Sequence, residues 1–286
     1  MSDPVNDDSL VEGKIGERIA PPPVFPRGAT RGFEMRVVAV WATLLVLFVL
    51  FFLSFGLKFE IIVARFPALA GLKLTKDGFI QGAALTLFVC FFSIIASSVL
   101  GLISALGRLS SSAVFYGIST FYTSFFRGTP LLVQIFLIYL GLPQLGPVPD
   151  AIPAGIIALS LNYGAYLSEI FRSGIMSVPQ GQREAGASLG LPNWVILWTI
   201  VLPQATRIVI PPTGSQFIAM LKDSSLISVM GVWEIMFLAQ SFGRSSYRYI
   251  EMLTTAAAIY WLLSICFELI QSRLEVKFGK GYKKAH

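Results

Sequence analysis

The residues with the chemistry to bind a solute are polar side chains that interrupt long apolar runs. They are Arg127, Thr129, Gln134, Asn162, Tyr163, Gln216, Lys222, Asp223 and Ser225. Because burying a polar group in hydrocarbon is costly, polar residues in membrane segments are candidates for a solute pathway. A lone amide could instead make a hydrogen bond between two helices. As a set, and with the Pro211-Pro212 pair predicted to kink one helix, these residues favour a polar cavity near the middle of the membrane.

Arg127 is the only charged residue in the sequence between positions 109 and 149. Gly128 and Pro130 follow it and indicate a break in a helix. The guanidinium could bind a carboxylate through two hydrogen bonds, and the alternative is a hinge or an anchor to lipid headgroups. Gln134 lies two turns later and is predicted to face the same direction.

Lys222 and Asp223 are adjacent charges in a later segment. They could neutralise each other, or they could face the two charges of an amino-acid zwitterion. Ser224 and Ser225 could begin a broken helix, whose free backbone N–H groups would attract a carboxylate.

Patterns that would support catalysis are missing from the sequence. Its only histidine is His286, which argues against histidine-ligated metals and histidine-based triads. The stretch GLISALGR at 101–108 has the wrong spacing for a nucleotide-binding loop, and no serine lies in a nucleophile elbow. We therefore expect no enzymatic activity and no cofactor on this chain.

Two groups of small residues are predicted to serve helix packing. Ser97, Gly101 and Ala105 recur at every fourth position, a spacing that lets two membrane helices approach closely. Cys90 and Cys266 both lie inside apolar runs, and we expect them to be small core residues rather than a disulfide or a metal pair.

Composition identifies an integral membrane protein. Hydrophobic residues make up 55% of the 286 residues and charged residues 13%, and the mean hydropathy is +0.71. Soluble domains usually carry about 25% charged residues. The net charge of +6 could suggest a nucleic-acid partner. We expect none, because the cations lie at the ends of apolar runs, where they set the orientation of the spans.

Six membrane spans are predicted, at 37–57, 78–107, 109–149, 151–168, 204–222 and 252–272. An even number places both termini on one side. With the termini inside, inner segments hold 14 Lys and Arg residues and outer segments hold seven. The excess of inside cations predicts that both termini, and the segment 183–205, are cytoplasmic.

The segment 183–205 (REAGASLGLPNWVILWTIVLPQA) is the most organised polar interruption. Residues 180–189 lack β-branched side chains and favour a short helix. Gly190 is a predicted C-cap, and Pro192 prevents the helix from continuing. Small residues at 185–187 would let this helix enter a groove of a partner. The alternative is an ordinary helix at the membrane interface.

The loop also resembles a known motif. The pattern Glu184-Ala185-Gly186-x-x-x-Gly190, nine residues, then Ile200-x-Leu202-Pro203 is similar to the EAA motif of ABC importer permeases. In that family the loop forms a coupling helix that inserts into a cleft of the ATPase subunit. The resemblance implies that the coupling residues are Arg183, Glu184, Ala185, Gly186, Gly190, Leu202 and Pro203. Gly186 replaces the second alanine of the motif, and an interior glycine weakens a helix by about 1 kcal/mol.

Three further segments narrow the family. Residues 125–143, 162–182 and 221–235 resemble polar amino-acid uptake permeases of the His/Glu/Gln/Arg/opine type. The resemblance implies an all-α integral membrane protein with the type I ABC importer transmembrane fold, a five-helix core to which this chain adds one N-terminal transmembrane helix. It also implies a bacterial inner-membrane location, an amino-acid substrate and several partners. These are two ATP-binding ABC ATPase subunits that hold the ATP and Mg, a second identical or homologous permease chain, and an external solute-binding protein.

The expected organisation has five parts. They are a flexible cytoplasmic tail (1–36), the extra transmembrane helix (37–57), an external linker that could contain an amphipathic helix (58–77), the permease domain (78–277) with its coupling loop (177–205), and a basic cytoplasmic tail (278–286). Two other functions remain open from the residues alone. One is an ion-coupled secondary carrier or channel that works by itself, and the other is a membrane scaffold.

Overall fold

The computed structural model describes residues 31–54 and 56–279. The predicted tails at 1–36 and 278–286 therefore lie mostly outside the described residues. The chain divides into two units, Met1–Leu57 and Lys58–His286. The described part of the first unit is one helix, α1 (Arg31–Leu53).

The second unit is helical throughout its regular parts, as far as the structure describes it. Its helices are α2 (Phe59–Leu69), α3 (Gly82–Arg108), α4 (Ala113–Gly128), α5 (Leu131–Leu145), α6 (Ala151–Met176), α7 (Gln180–Ser188), α8 (Asn193–Met230), α9 (Ile235–Ser246) and α10 (Tyr249–Gly279). Two of them change pitch along their length. Helix α5 passes through a π segment at Leu137–Gly141 and ends in a 3₁₀ turn, and α8 contains a π segment at Ile196–Val201 and ends in a 3₁₀ segment, Ser224–Met230.

Four helices are long and apolar enough to cross a membrane: α3, α6, α8 and α10. The pair α4 and α5 makes a fifth crossing if it is counted as one broken span. These helices confirm the predicted all-α membrane class and account for a five-helix core. The apolar part of α1, Met35–Phe51, is shorter than the others. The extra N-terminal span is therefore not confirmed and stays a prediction.

Helices α3 and α6 pack closely through small residues. The Ser97 hydroxyl donates to the Ser160 carbonyl oxygen at 3.2 Å. A Cβ placed on Gly101 would lie 2.8 Å from the Leu167 Cβ and 3.1 Å from the Ser168 nitrogen. This contact confirms the predicted close packing at the small-residue spacing.

Gly101→Leu is expected to prevent α3 and α6 from packing, because backbone and Cβ atoms of α6 occupy the space that the new side chain needs. Overpacking of this kind typically costs about 1–3 kcal/mol. The measurement is the melting temperature of the detergent-solubilised chain, which should fall. Gly117→Leu is the matched control, since a Cβ on Gly117 in α4 meets nothing within 4 Å. Equal losses in both variants would contradict the proposed packing constraint.

The two π segments each end two residues before a proline. Leu137–Gly141 precedes Pro143, and Ile196–Val201 precedes Pro203. Proline has no N–H, and its ring clashes with the carbonyl four residues earlier, so a wider turn just before it relieves the conflict. Helix α8 therefore runs through Pro203 from Asn193, and the span predicted at 204–222 begins earlier than expected.

Helix α8 also continues as one helix through Pro211 and Pro212. The kink predicted at this pair stays a prediction. Gln271 of α10 packs beside this turn. Its Nε2 donates to the Pro211 carbonyl oxygen at 3.2 Å and to the Ser215 hydroxyl at 2.8 Å. The side chain of a neighbouring helix thus contacts the segment where the prolines remove backbone donors.

The two cysteines differ in burial. Cys90 is fully buried in the main core with Val89 and Met220, as predicted. Cys266 is exposed on α10, so its assignment to the core was wrong. Apolar residues lie on all sides of α10, and the sequence therefore does not indicate which face turns inward.

Candidate functional site

A sharp bend between α4 and α5 forms one wall of the site. The two helix axes meet at 107°. Thr129 has an extended backbone with φ −111° and ψ 145°, because the ring of Pro130 disfavours a helical conformation in the residue before it. The break predicted at residues 128–130 is thus confirmed.

Gln134 braces this bend from inside the protein. Its side-chain nitrogen lies 2.9 Å from the Phe126 carbonyl oxygen, 3.1 Å from the Thr129 carbonyl oxygen and 2.8 Å from the Thr129 hydroxyl. Its side-chain oxygen accepts a hydrogen bond from the Asn162 amide of α6 at 3.1 Å. The Asn162 amide also donates to the Phe126 carbonyl oxygen at 3.1 Å. Gln134 is only 2% exposed, so this network ties the last turn of α4 and the first turn of α5 to α6.

A polar cavity of about 540 Å³ opens next to the bend. Its lining combines residues of α4, α5, α6 and α8, and such volumes are typical of small-molecule sites. The polar members of the lining are Arg127, Thr129, Asn162, Tyr163, Tyr166, Gln216 and Asp223. Six of the nine pathway residues predicted from the sequence therefore meet in one cavity.

The other three predicted residues lie elsewhere. Gln134 lies behind the wall, next to Asn162 and Thr129, and the bend turns it away from the direction that a straight helix would give it. Lys222 and Ser225 do not line the cavity, and Lys222 is exposed.

Ser224 and Ser225 do not begin a helix. They continue α8 as its terminal 3₁₀ segment, so their N–H groups do not form the free N-terminus that the sequence suggested. The new helix begins instead at Ile235, after Gly231 in the left-handed conformation. The buried carboxylate of Glu234 caps it by accepting from the Phe237 N–H at 2.7 Å.

Tyrosines orient both charged groups of the cavity. The Tyr163 hydroxyl donates to Asp223 Oδ2 at 2.8 Å. The guanidinium carbon of Arg127 lies 5.4 Å from the centre of the Tyr166 ring, within cation–π distance. Tyr166 was missed in the sequence. It lies one turn after Asn162 and Tyr163, and that helical spacing was the signal that could have found it.

The second candidate site is α7, which confirms the helix predicted near 180–189. It ends in a complete Schellman motif at Gly190, whose φ is 73°. The Gly190 N–H donates to the Ala187 carbonyl at 2.9 Å, and the Leu191 N–H donates to the Gly186 carbonyl at 3.2 Å. Gly190 thus stops the helix and directs the chain into α8.

One face of α7 is held against the rest of the protein. An Arg183 guanidinium nitrogen donates to the Ile175 carbonyl oxygen at the end of α6, at 2.9 Å. Gly186 is buried, and a Cβ on it would lie 2.9 Å from Ile196 Cγ1 and 3.0 Å from Ile200 Cδ1. Gly186 therefore does not belong to a protruding small-residue face. It lets the helix lie against the π segment of α8.

The opposite face of α7 is exposed in the described part of the chain. Glu184, Ala185 and Ala187 are exposed, and Leu189 is 79% exposed. The Glu184 carboxylate accepts from the Gln180 side chain at 2.7 Å, a bond within the same helix. An anchored helix with an exposed carboxylate and small residues can enter a groove of another protein.

Leu202 and Pro203 lie in α8, beyond its π segment. Both line a groove of about 730 Å³ beside α3, α6 and α10. Its lining is mostly apolar, and it lacks the convergent polar groups that hold a small polar solute. The smaller polar cavity is therefore the better solute site.

Comparison with known proteins places this architecture. Residues 97–280 match the family model described as binding-protein-dependent transport system inner membrane component. The arginine transport system permease protein ArtQ of Bacillus subtilis (strain 168) is 38% identical over 199 residues, which cover 69% of this chain and 91% of ArtQ. The L-cystine transport system permease protein TcyB of the same organism is 40% identical over 204 residues, covering 71% of this chain and 87% of TcyB.

Solved structures agree with these sequence matches. A crystal structure of an amino acid ABC transporter with histidines superposes with a TM-score of 0.69 at 35% identity, covering 77% of this chain and 99% of that one. An inward-facing structure of the MetNI methionine ABC transporter matches with a TM-score of 0.56 at 17% identity, covering 68% and 91%, which supports the fold. The helical core, the capped loop helix and these relatives together establish that the chain belongs to the family of binding-protein-dependent transport system inner membrane components, the ABC importer permeases.

Proposed function

We propose that this chain is the permease subunit of an ATP-driven importer for amino acids or close derivatives. The observation that carries the proposal is the exposed, capped helix α7, with Glu184 among its exposed residues, in a chain of this family. Relatives named for arginine and cystine transport support an amino-acid substrate.

The loop helix is the proposed contact with the ATPase. Arg183 and Gly186 fix α7 to the chain, whereas Glu184, Ala185 and the turn at Gly190 are available to a partner. Force applied to α7 would pass into α6 and α8, because Ile175, Val178, Ile196, Val201 and Ala205 form one buried cluster. Leu202 packs against the same cluster.

The polar cavity is the proposed solute pathway. It brings Arg127, Thr129, Asn162, Tyr163, Gln216 and Asp223 together between membrane helices. Movement of α8, which links the loop cluster to this cavity, would open it alternately to the two sides of the membrane.

The other subunits of the transporter are proposed from the family to which the chain belongs. Two ATPase subunits would hold the ATP and Mg, and this chain would catalyse nothing itself. A second permease chain would complete the pathway, and an external solute-binding protein would deliver the substrate. The location would be the bacterial inner membrane with both termini cytoplasmic.

The test separates ATP-driven import from an ion-coupled carrier. Uptake of radiolabelled amino acids is measured in cells that express the complete system. In one arm ATP is depleted while the proton gradient is held, and in the other the gradient is collapsed while ATP is maintained. We expect uptake to stop in the first arm and to continue in the second. The reverse pattern would identify a secondary carrier.

A further inference from the structure

The charges that line the polar cavity are balanced. Among its lining residues, Arg127 is the one cation and Asp223 the one anion. Lys222 lies next to Asp223 on α8 but is exposed and lies outside the lining. The cavity therefore presents one positive and one negative group, carried by different helices.

Neither Arg127 nor Asp223 has an ion-pair partner among the described residues. In the part of the chain that the structure describes, the ion pairs join other residues. Asp223 Oδ2 accepts from the buried Tyr163 hydroxyl, which leaves Oδ1 for a ligand. Arg127 is exposed and lines the cavity. Its guanidinium contacts the Tyr166 ring, and none of the side-chain hydrogen bonds between described residues involves its N–H groups, which are therefore available to a ligand.

The ligand that satisfies both groups carries a carboxylate and an ammonium. A guanidinium edge suits a carboxylate because two parallel N–H···O bonds can form. A carboxylate oriented by a tyrosine suits an ammonium. Both groups occur on the α-carbon of every free amino acid.

The rest of the polar lining is uncharged. Thr129, Asn162, Tyr166 and Gln216 can donate and accept hydrogen bonds, but they cannot neutralise a further charge. A charged substrate side chain would thus enter the cavity without a counter-charge, which is unfavourable.

We propose that the cavity selects amino acids of zero net charge, with Arg127 binding the α-carboxylate and Asp223 the α-ammonium. The inference rests on the proposed function, since it takes the cavity as the solute pathway. Uncharged polar side chains, such as the carboxamide of glutamine, fit the amides and hydroxyls that remain.

The test measures equilibrium binding of radiolabelled glutamine, arginine and glutamate to the full chain in lipid nanodiscs. Glutamine should bind at least tenfold more tightly than either charged amino acid, a ratio equivalent to about 1.4 kcal/mol. Tighter binding of arginine or glutamate, or no binding of any of the three, would overturn the selection. Amino-acid uptake driven by ATP would survive that result, so the failure would leave the proposed function standing.

Trimmed ligands then assign the two charges. Glutaminamide lacks the α-carboxylate and N-acetylglutamine lacks the α-ammonium. Arg127→Gln should weaken glutamine about tenfold or more and leave glutaminamide unchanged, and Asp223→Asn should weaken glutamine and leave N-acetylglutamine unchanged. Lys222→Gln is the control next to the cavity and should change nothing. A variant that weakens all three ligands equally would show a structural role and contradict the assignment.

Discussion

Glu184→Lys is expected to abolish ATP-driven uptake while the chain still inserts and folds. Glu184 is exposed, and its side chain bonds only to Gln180 of the same helix among the described contacts. Substitutions of this kind usually change stability by less than about 0.5 kcal/mol. At an interface, however, a reversed charge costs several kcal/mol. We therefore expect uptake to fall by more than about tenfold, measured with radiolabelled amino acid at matched membrane levels of the chain.

Substitutions of Gly190 test the same loop by changing which backbone conformations the turn can adopt. A Cβ on Gly190 meets nothing within 4 Å, but its φ of 73° is strained for most side chains. Gly190→Val should therefore disorder the turn and abolish uptake, whereas Gly190→Asn should keep most of it, because asparagine tolerates this conformation.

Gln182→Lys is the matched control for Glu184→Lys. Gln182 is exposed on the same helix, about 200° around it from Glu184. It should transport normally and should retain the ATPase subunit on purification, which Glu184→Lys should lose. Wild-type uptake in the Glu184→Lys or Gly190→Val chain would contradict the coupling role of α7.

Several features of the fold could be predicted from residue types alone. Long uncharged stretches located the spans of the five-helix core, since a bilayer needs about 20 apolar residues. Small residues at every fourth position predicted the contact that Gly101 makes with α6. Gly190 and Pro192 predicted the end of α7 because their backbone preferences are local.

Other features depend on contacts between distant segments. Gly128 and Pro130 indicate a break, but they do not indicate its 107° angle, which Gln134 and Asn162 hold by bonding across three helices. The prediction that Gln134 faces the same direction as Arg127 was wrong for this reason. Helix α9 was not predicted because it is shorter than a membrane span and carries polar groups on one face.

The role of Gly186 in the candidate site also depends on a contact with a distant segment, which the sequence did not predict. Its departure from the family pattern suggested only a weaker helix. In the structure the missing methyl group makes room for Ile196 and Ile200, which lie on α8 ten and fourteen positions later. The sequence predicted where α7 begins and ends, but it did not predict which face of α7 packs against the rest of the protein.

Gln134→Met should remove the brace of the α4–α5 bend at nearly constant side-chain volume. The substitution leaves the Thr129 carbonyl and hydroxyl, and one contact of the Asn162 amide, without their partner. A buried polar group left unsatisfied costs about 1–3 kcal/mol, and the Asn162 amide is such a buried group. We expect a lower melting temperature and a large loss of uptake, since the cavity wall depends on this bend.

A graded series separates the brace from general damage to α5. Thr129→Val removes the hydroxyl that accepts from the Gln134 side chain. It should lower the free energy of unfolding by a smaller amount, about 1 kcal/mol. Gln144→Met, on an exposed position of the same helix, should leave the melting temperature unchanged. A stable, fully active Gln134→Met chain would show that other contacts hold the bend.

Gln134→Met and Glu184→Lys are expected to abolish different properties of the chain, one its amino-acid binding and the other its association with the ATPase. Helix α7 packs on the cluster of Ile175, Val178, Ile196, Val201 and Ala205, whereas Ile135, next to Gln134, belongs to the main core. The Gln134→Met chain, assayed at a temperature where it stays folded, should keep its ATPase partner and lose amino-acid binding. The Glu184→Lys chain should keep binding and lose the partner. Because each variant retains what the other loses, the pair shows whether the cavity and the loop are separate sites joined by α8.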